Sequence, residues 1–275
     1  MPELPEVETL RRGLEKHLVG RTIVEVRVQV SKMIKGTLLE PDVFKKSLEG
    51  TKILSVGRRG KHLINKLDSG YYLLLHLNMR GQLLMVPSDE PEAKYFAAAF
   101  LLDDGVELRF HDMWTWGEMR LVSETELSEH PALRDMGPEP LSEEWSVQDL
   151  QTGLAKRPKT AIKAVLLDQA VLAGVGNIYA DESLHRAGIQ PLRLTGSLTM
   201  SEATRLHSEI KAVLTEATES GGTISDNYVD ADGQIGRFVP RVYDRGGKPC
   251  VSCGTELTRI RVTGRGTVFC ALCQI

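Results

Sequence analysis

The sequence predicts an α+β, multidomain protein: an N-terminal β-sandwich flanked by helices, then a helical domain that ends in a zinc-ribbon β-hairpin. Three observations lead there. Between Thr22 and about Val122, short runs such as Thr22–Val30 alternate apolar and polar residues, with Gly, Asp and Pro turns between them. Beyond Ser146 the apolar spacing becomes helical. All four cysteines fall in the last 26 residues, as Cys250-x-x-Cys253 and Cys270-x-x-Cys273 with sixteen residues between the pairs. That is the spacing of a ribbon holding one structural zinc ion; two disulfides are the alternative use of the same residues.

A chain of 275 residues can bury two cores. Its net charge is -3, so any nucleic-acid footprint must be local rather than global. Charge from Glu3 onward argues against a signal peptide, and apolar runs such as Phe96–Leu102 are too short to cross a membrane. A cytoplasmic protein without a membrane partner is expected.

The first element reads as a helix. Pro5 suits its first turn, Glu6 and Glu8 suit its positive end, and Val7, Leu10, Leu14 and Leu18 repeat at helical spacing up to Gly20. Ahead of it stand Pro2 and Glu3. If Met1 is removed, Pro2 carries a free secondary amine; an α-amino group titrates at about 7.7–8, so part of it is neutral and nucleophilic near pH 7. Glu3 beside it can transfer protons. An ordinary frayed terminus is the plain alternative.

Strand-like runs follow at Lys52–Val56, Tyr71–Leu77, Gln82–Val86, Ala97–Leu102 and Val106–Phe110. Gly57–His62 reads as a basic loop, inside a window (51–66) with five Lys or Arg and no acid. It is either a solvated turn or a place where glycines let backbone approach a phosphate. His76 and Met79 close a strand in the pattern H-x-x-M-x-G. Taken singly they read as a structural histidine and a core methionine.

Residues 131–146, rich in Pro, Gly and acids, read as a linker. Helices are expected over Val147–Leu154 and Thr160–Asp168, and from Asn177 through His185. A last helix opens on a Thr199/Glu202 capping box and ends at Gly221-Gly222. The division is then 1–130, a linker at 131–146, 147–223, a loop at 224–242, and a zinc module at 243–275. Gly174-Val-Gly176 lacks a third glycine and a βαβ context, so it reads as a phosphate cradle at a helix start, not a dinucleotide fingerprint. Lys156, Arg157, Lys159 and Lys163 supply a basic edge to the same module, with a solvated helix face as the plain alternative for at least Lys156. Between the cysteine pairs, Thr255–Thr263 and Thr267–Phe269 form a hairpin with Gly264-Arg265-Gly266 at its tip. From Gly233 onward, seven Arg or Lys face two acids.

These strings, in order, resemble the formamidopyrimidine-DNA glycosylases, bacterial enzymes that remove oxidised purines. The resemblance rests on M-P-E-L-P-E-V-E-T at the start, R-R-x-K ending at Lys61, and H-x-x-M-x-G from His76. It continues through G-P-E-P-L from Gly137, L-A-G-V-G-N-I-Y-A-D-E from Leu172, and G-R-G-T-x-F-C from Gly264. It implies a two-sheet sandwich, a helix-two-turn-helix domain, and base-excision repair by a monomer acting near the nucleoid. The implied partner is duplex DNA with oxidised bases (8-oxoguanine, formamidopyrimidines) or abasic sites. Catalysis falls to Pro2 as Schiff-base nucleophile, Glu3 as proton donor, and Lys61 and Arg265 at the phosphates. His76, Asn177 and Tyr243 contact the backbone, Arg157 and Lys159 lie along its edge, Met79 is a wedge, and Ser225 to Tyr228 touch the lesion. Two alternatives remain: an endonuclease VIII-like enzyme for oxidised pyrimidines, whose relatives begin P-E-G-P-E, and a non-catalytic damaged-DNA binder.

The sequence departs from the family at Asp112–Gly117. The usual D-x-R-x-F-G has become D-M-W-T-W-G, with Trp116 for the Phe and Trp114 for the Arg that reads the base opposite the lesion. Trp116 keeps a stacking face. Trp114 loses the guanidinium donors, so a weaker preference for cytosine is expected, unless Trp114 turns into the core and a neighbour such as Arg80 takes over. Lys94–Ala97 also departs from the family, and no role follows for Tyr95.

Overall fold

The computed structural model describes residues 1–224 and 228–275, so of the implied lesion contacts Ser225 lies outside the described residues and Tyr228 within them. Helix α1 (Leu4–Leu18) begins as its sequence dictates. Pro sits in its first turn, and the Glu3 backbone N–H donates to Glu6 Oε2 at 2.9 Å in a capping box. Val7, Leu10, Leu14 and Leu18 are all buried. Each contributes about 1.5–3 kcal/mol by leaving water, so packing rather than propensity holds the helix.

Strands β1 (Ile23–Val28), β2 (Ile53–Arg59), β3 (His62–Leu67), β4 (Tyr72–His76), β5 (Gly81–Pro87), β6 (Phe96–Leu102), β7 (Val106–Asp112) and β8 (Glu118–Val122) form two antiparallel sheets. One runs β1-β6-β7-β5 and the other β2-β3-β4-β8. Alternation along the strands supplies their shared core, with Val56, Leu63, Leu75, Leu83, Phe100 and Phe110 among its members. Helix α2 (Pro41–Leu48), which the sequence reading passed over, caps this core with Phe44 and Leu48. Strands β3 and β8 were also missed. The expected basic loop at Gly57–His62 is instead the end of β2, a tight turn at Gly60-Lys61, and the start of β3, with Arg59 opposite His62. Pairing with β3 draws Arg58 and Arg59 into the ladder, because their backbone groups need partners.

This first unit comprises Met1–Arg134 and, from far along the chain, Ser220–Arg237. The Thr223 N–H donates to Glu6 Oε1 at 2.8 Å, the Tyr228 hydroxyl donates to the Glu6 carbonyl at 3.0 Å, and the Met85 N–H donates to the Ala231 carbonyl at 2.8 Å. Short helices α3 (Glu124–Ser128) and α4 (Pro131–Arg134) close its first segment.

The second unit comprises Asp135–Glu219 and Phe238–Ile275. It holds α5 (Val147–Ala155), α6 (Ile162–Leu166), α7 (Asn177–Ala187) and α8 (Met200–Glu219), then a hairpin of β9 (Thr258–Val262) and β10 (Arg265–Phe269). The Thr199/Glu202 capping box forms as expected. Tyr179, Leu206, Ile210, Leu214 and Phe238 pack in its core. The hairpin turns on Thr263 (φ 47°) and Gly264 (φ 77°), both left-handed, as a two-residue turn with native twist requires. Arg265 is therefore the first residue of β10, opposite Val262, rather than the apex of the turn.

Candidate active site and nucleic-acid interface

In the first unit, Pro2 and Glu3 are buried at the start of α1, Glu3 with only 3% of its surface exposed. The terminus is thus held, not frayed. Lys61, at the β2–β3 turn, is also buried. Burial lowers the pKa of the Met1 amine, which precedes Pro2 in the chain as it stands; Glu3 and Glu6 oppose that shift, and Lys61 and Arg80 add to it. These four charges are the electrostatic surroundings of the chain's first nitrogens. Arg58 anchors the turn. Its Nε donates to Glu8 Oε2 at 3.1 Å and its Nη1 to the Gly60 carbonyl at 2.8 Å. Burial raises the Glu8 pKa, but hydrogen bonds from Arg11, Arg58 and Arg12 outweigh it and hold the carboxyl below its usual range. Of the R-R-x-K string, Arg58 is therefore structural.

His76 pairs across the sheet with His62 on one side and Glu118 on the other. The His62 and His76 rings are 4.3 Å apart, and His130 lies 6.1 Å from His62. Burial pushes His62 down to about 3, with His76, His130 and Arg120 adding to the shift. Burial likewise takes His76 down to about 4 against the pull of Glu118. Both are neutral near pH 7. The sequence reading named His76 but missed His62 and His130, whose proximity depends on strand register.

Met79, Trp114 and Trp116 project from two turns that are laced together. Asn78 Nδ2 donates to the Trp116 carbonyl. The Asp112 carboxylate accepts from the Trp114 N–H at 2.9 Å and the Gly117 N–H at 2.6 Å. Asn78 and Thr115 both take left-handed φ to make these turns. Met79 is 38% exposed, Trp114 36% and Trp116 55%, so none is a core residue and Trp114 does not turn inward. The tryptophan rings are 4.9 Å apart, and the Arg80 guanidinium lies 5.2 Å from the centre of the Trp114 ring.

In the second unit, Asn177 opens α7 and donates from Nδ2 to the Gly266 carbonyl at 2.9 Å. Asn177, Tyr243, Arg259 and Gly266 line a cavity of about 190 Å³. Glu182 fixes Tyr243 by accepting its backbone N–H at 2.9 Å. Arg259, which the sequence reading did not single out, joins this cavity from β9. Arg265 is exposed on β10. Arg157 and Lys159 are exposed away from the cavity lining, and Arg157 pairs with Asp168. Lys163 is not part of a basic edge: it is fully buried, with Nζ 2.7 Å from Thr267 Oγ1 and 3.1 Å from the Gly266 carbonyl.

The sulfur atoms of Cys250, Cys253, Cys270 and Cys273 all lie within 4.8 Å of one another, with Cys253 and Cys270 at 3.5 Å. A tetrahedron with metal–sulfur bonds of about 2.3 Å has edges of about 3.8 Å, so the four thiols fit one zinc ion. The backbone N–H of Ser252 approaches Cys250 Sγ at 3.4 Å, and that of Cys273 approaches Cys270 Sγ at 3.5 Å. Such donors stabilise thiolates. Four thiolates saturate zinc, which makes the ion structural.

Three family models match successive parts of the chain. The "Formamidopyrimidine-DNA glycosylase N-terminal domain" covers residues 1–119, the "Formamidopyrimidine-DNA glycosylase H2TH domain" 136–228, and the "Zinc finger found in FPG and IleRS" 247–275. A formamidopyrimidine-DNA glycosylase of Desulfitobacterium hafniense is 44% identical over the full length of both chains. That of Bacillus subtilis is 41% identical, covering 100% of this chain and 99% of its own. Among solved structures, the complex of Lactococcus lactis Fpg with an abasic site containing DNA aligns with a TM-score of 0.90 at 35% identity, over 99% of each chain. The MutM (FPG) protein of Thermus thermophilus aligns at 0.88 and 40%, over 99% of this chain and 98% of that one. Among the described residues, no helix is long and apolar enough to cross a membrane.

Proposed function

The chain belongs to the formamidopyrimidine-DNA glycosylase family, and on that premise we propose that it excises oxidised purines from duplex DNA through Pro2 and then cuts the strand by β,δ-elimination. The observation that carries the residue assignment is the burial of Pro2 and Glu3 at a capped helix start, among the charges of Glu6, Lys61 and Arg80. A nucleophile works best when fixed and partly desolvated, and Pro2 is buried at the head of a capped helix.

The lesion nucleotide must leave the stack, because C1′ is shielded within a duplex. Met79 and Trp116, exposed on a rigid pair of turns, fill the space it vacates. With Met1 removed, the neutral Pro2 amine bonds to C1′ as the bond to the base breaks, and the amine's N–H proton leaves with the departing base. Glu3 gives a proton to the ring oxygen, and the sugar opens to an iminium joining Pro2 and C1′. The iminium acidifies the C2′ proton; its loss expels the 3′ phosphate, and a second elimination expels the 5′ phosphate. Lys61 and Arg265 offset the charge on these phosphates, and His76, Asn177 and Tyr243 bind the flanking backbone. Abasic duplexes enter the same sequence after base loss.

Incubation with lesion DNA and borohydride tests the reading. The iminium is reduced to a stable crosslink, and peptide mapping should place it on Pro2. A crosslink on a lysine of the intact protein would overturn the assignment. Retention of Met1 in the natural protein would favour a non-catalytic binder, since Pro2 would then be an amide.

A further inference from the structure

Helix α7 meets the zinc ribbon along one face. Asn177, Asp181 and His185 recur every four residues, so they stand on the same side of the helix. Asn177 donates to the Gly266 carbonyl, and Asp181 accepts the Val268 N–H. One turn further along, His185 Nε2 lies 3.5 Å from Cys250 Sγ. The first two contacts reach the hairpin; the third reaches a zinc ligand. Both of its partners are shielded from water, His185 with 5% of its surface exposed and Cys250 with 4%. A hydrogen bond between them has no solvent competitor and gains strength from the low local dielectric.

A neutral imidazole carries its proton on one nitrogen only, and the surroundings choose which. His185 Nδ1 is buried and has no hydrogen-bond partner among the described residues. With the proton on Nδ1, a buried N–H would be orphaned, and the Nε2 lone pair would face the sulfur. With the proton on Nε2, the ring donates to the sulfur and leaves a single acceptor unpaired, the cheaper arrangement. A cysteine that holds zinc is a thiolate, an acceptor without a proton of its own, so the loaded site selects the Nε2–H form.

The charge around the ribbon favours such a donor. Four thiolates bring more negative charge than one Zn²⁺ cancels. The Ser252 and Cys273 backbone N–H groups offset part of it. On the same flank, His185, Arg186 and Arg241 line a cavity of about 410 Å³ with Ser252, Cys273 and one carboxylate, Glu209. Of these side chains, His185 is the one that reaches across to Cys250.

We propose that His185 is a positioning residue for the structural zinc: its Nε2–H donates to the Cys250 thiolate, so that zinc retention depends on helix α7 as well as on the four cysteines. This role does not depend on base excision.

Zinc competition and nitrogen spectroscopy test it. Zinc-loaded wild type, His185→Phe and His185→Gln, kept reduced, are titrated with a chromophoric chelator, and the folding of each is checked by circular dichroism. His185→Phe keeps a flat ring without a donor and should weaken zinc affinity by about 10–100-fold, the usual effect of losing a partner of a metal ligand. In His185→Gln the amide N–H can stand where Nε2–H stood, so most of the affinity should return. The imidazole ¹⁵N spectrum of the zinc-loaded wild type, assigned by the signal missing from His185→Gln, should show Nε2 protonated and Nδ1 bare. Unchanged zinc affinity in His185→Phe would overturn the proposal, as would equal losses in both variants, since the ring would then serve packing alone. A proton on Nδ1 would overturn it without reference to either affinity, which keeps the test decisive even if His185→Phe fails to fold.

Discussion

Lys163 Nζ lies 2.6 Å from Asp181 Oδ1 with both side chains wholly buried, and together they fasten the hairpin that carries Arg265. Lys163 donates to Thr267 Oγ1, and Asp181 accepts the Val268 N–H at 3.1 Å. Burial pushes the Asp181 pKa up to about 6 while Lys163 pulls the other way.

Lys163→Met is expected to destabilise the second unit by about 3–5 kcal/mol, because it strands a buried carboxylate. Adding Asp181→Leu should restore much of the loss. Calorimetric unfolding of the single and double variants measures this, and two additive losses would show that the pair is not coupled.

Glu3→Gln is expected to abolish base excision while leaving cleavage at a pre-formed abasic site largely intact. Base loss needs a proton donor, whereas an abasic aldehyde already condenses with an amine. Parallel single-turnover assays on the two substrates separate the cases; equal loss of both activities would assign Glu3 another role.

The histidine pair sets a pH dependence. His62 and His76 are neutral in the native state down to about 3 and 4, whereas an unfolded histidine takes up a proton below about 6.5. The unfolded state therefore binds more protons, and stability falls as pH drops through 6.5 toward 4. The slope is about 1.4 kcal/mol per pH unit for each histidine. Urea unfolding at pH 7, 6 and 5 should show a shallower loss in His62→Phe than in wild type. Identical slopes would mean that His62 binds protons equally in the folded and unfolded states.

Trp114 is exposed beneath the Arg80 guanidinium, and an indole presents a flat face rather than a fork of donors. Trp114→Arg is expected to raise the ratio of 8-oxoguanine excision opposite cytosine to that opposite adenine by about tenfold, the scale of one good bidentate contact. Strong cytosine preference in wild type, unchanged by the substitution, would show that position 114 does not read the opposite base.

Local signals were the legible ones. Proline and glutamates at the head of α1, the Thr199/Glu202 box and the cysteine spacing each encode their structure within a few residues, and each formed as read. Register was not legible. That His62 meets His76, that Arg58 serves Glu8, and that Lys163 lies beneath Thr267 all depend on partners distant in sequence. A lysine in a basic run carries no mark that it will be buried. Trp114 could be read as a departure from the family pattern, but its exposure and its arginine partner could not.

Glu6 ties the head of α1 to Thr223 and Tyr228, more than two hundred residues downstream. During synthesis, the first unit must therefore wait for nearly the whole chain to leave the ribosome before its helix start is completed. Until then the Glu6 carboxylate lacks the Thr223 donor, and the Met85 edge lacks Ala231. A prematurely ended chain lacking 220–237 would present that incomplete surface to chaperones and proteases, and it would lack these supports around the residues that precede Glu6. The order of translation thereby couples completion of the amino-terminal helix start to production of the segment that follows α8.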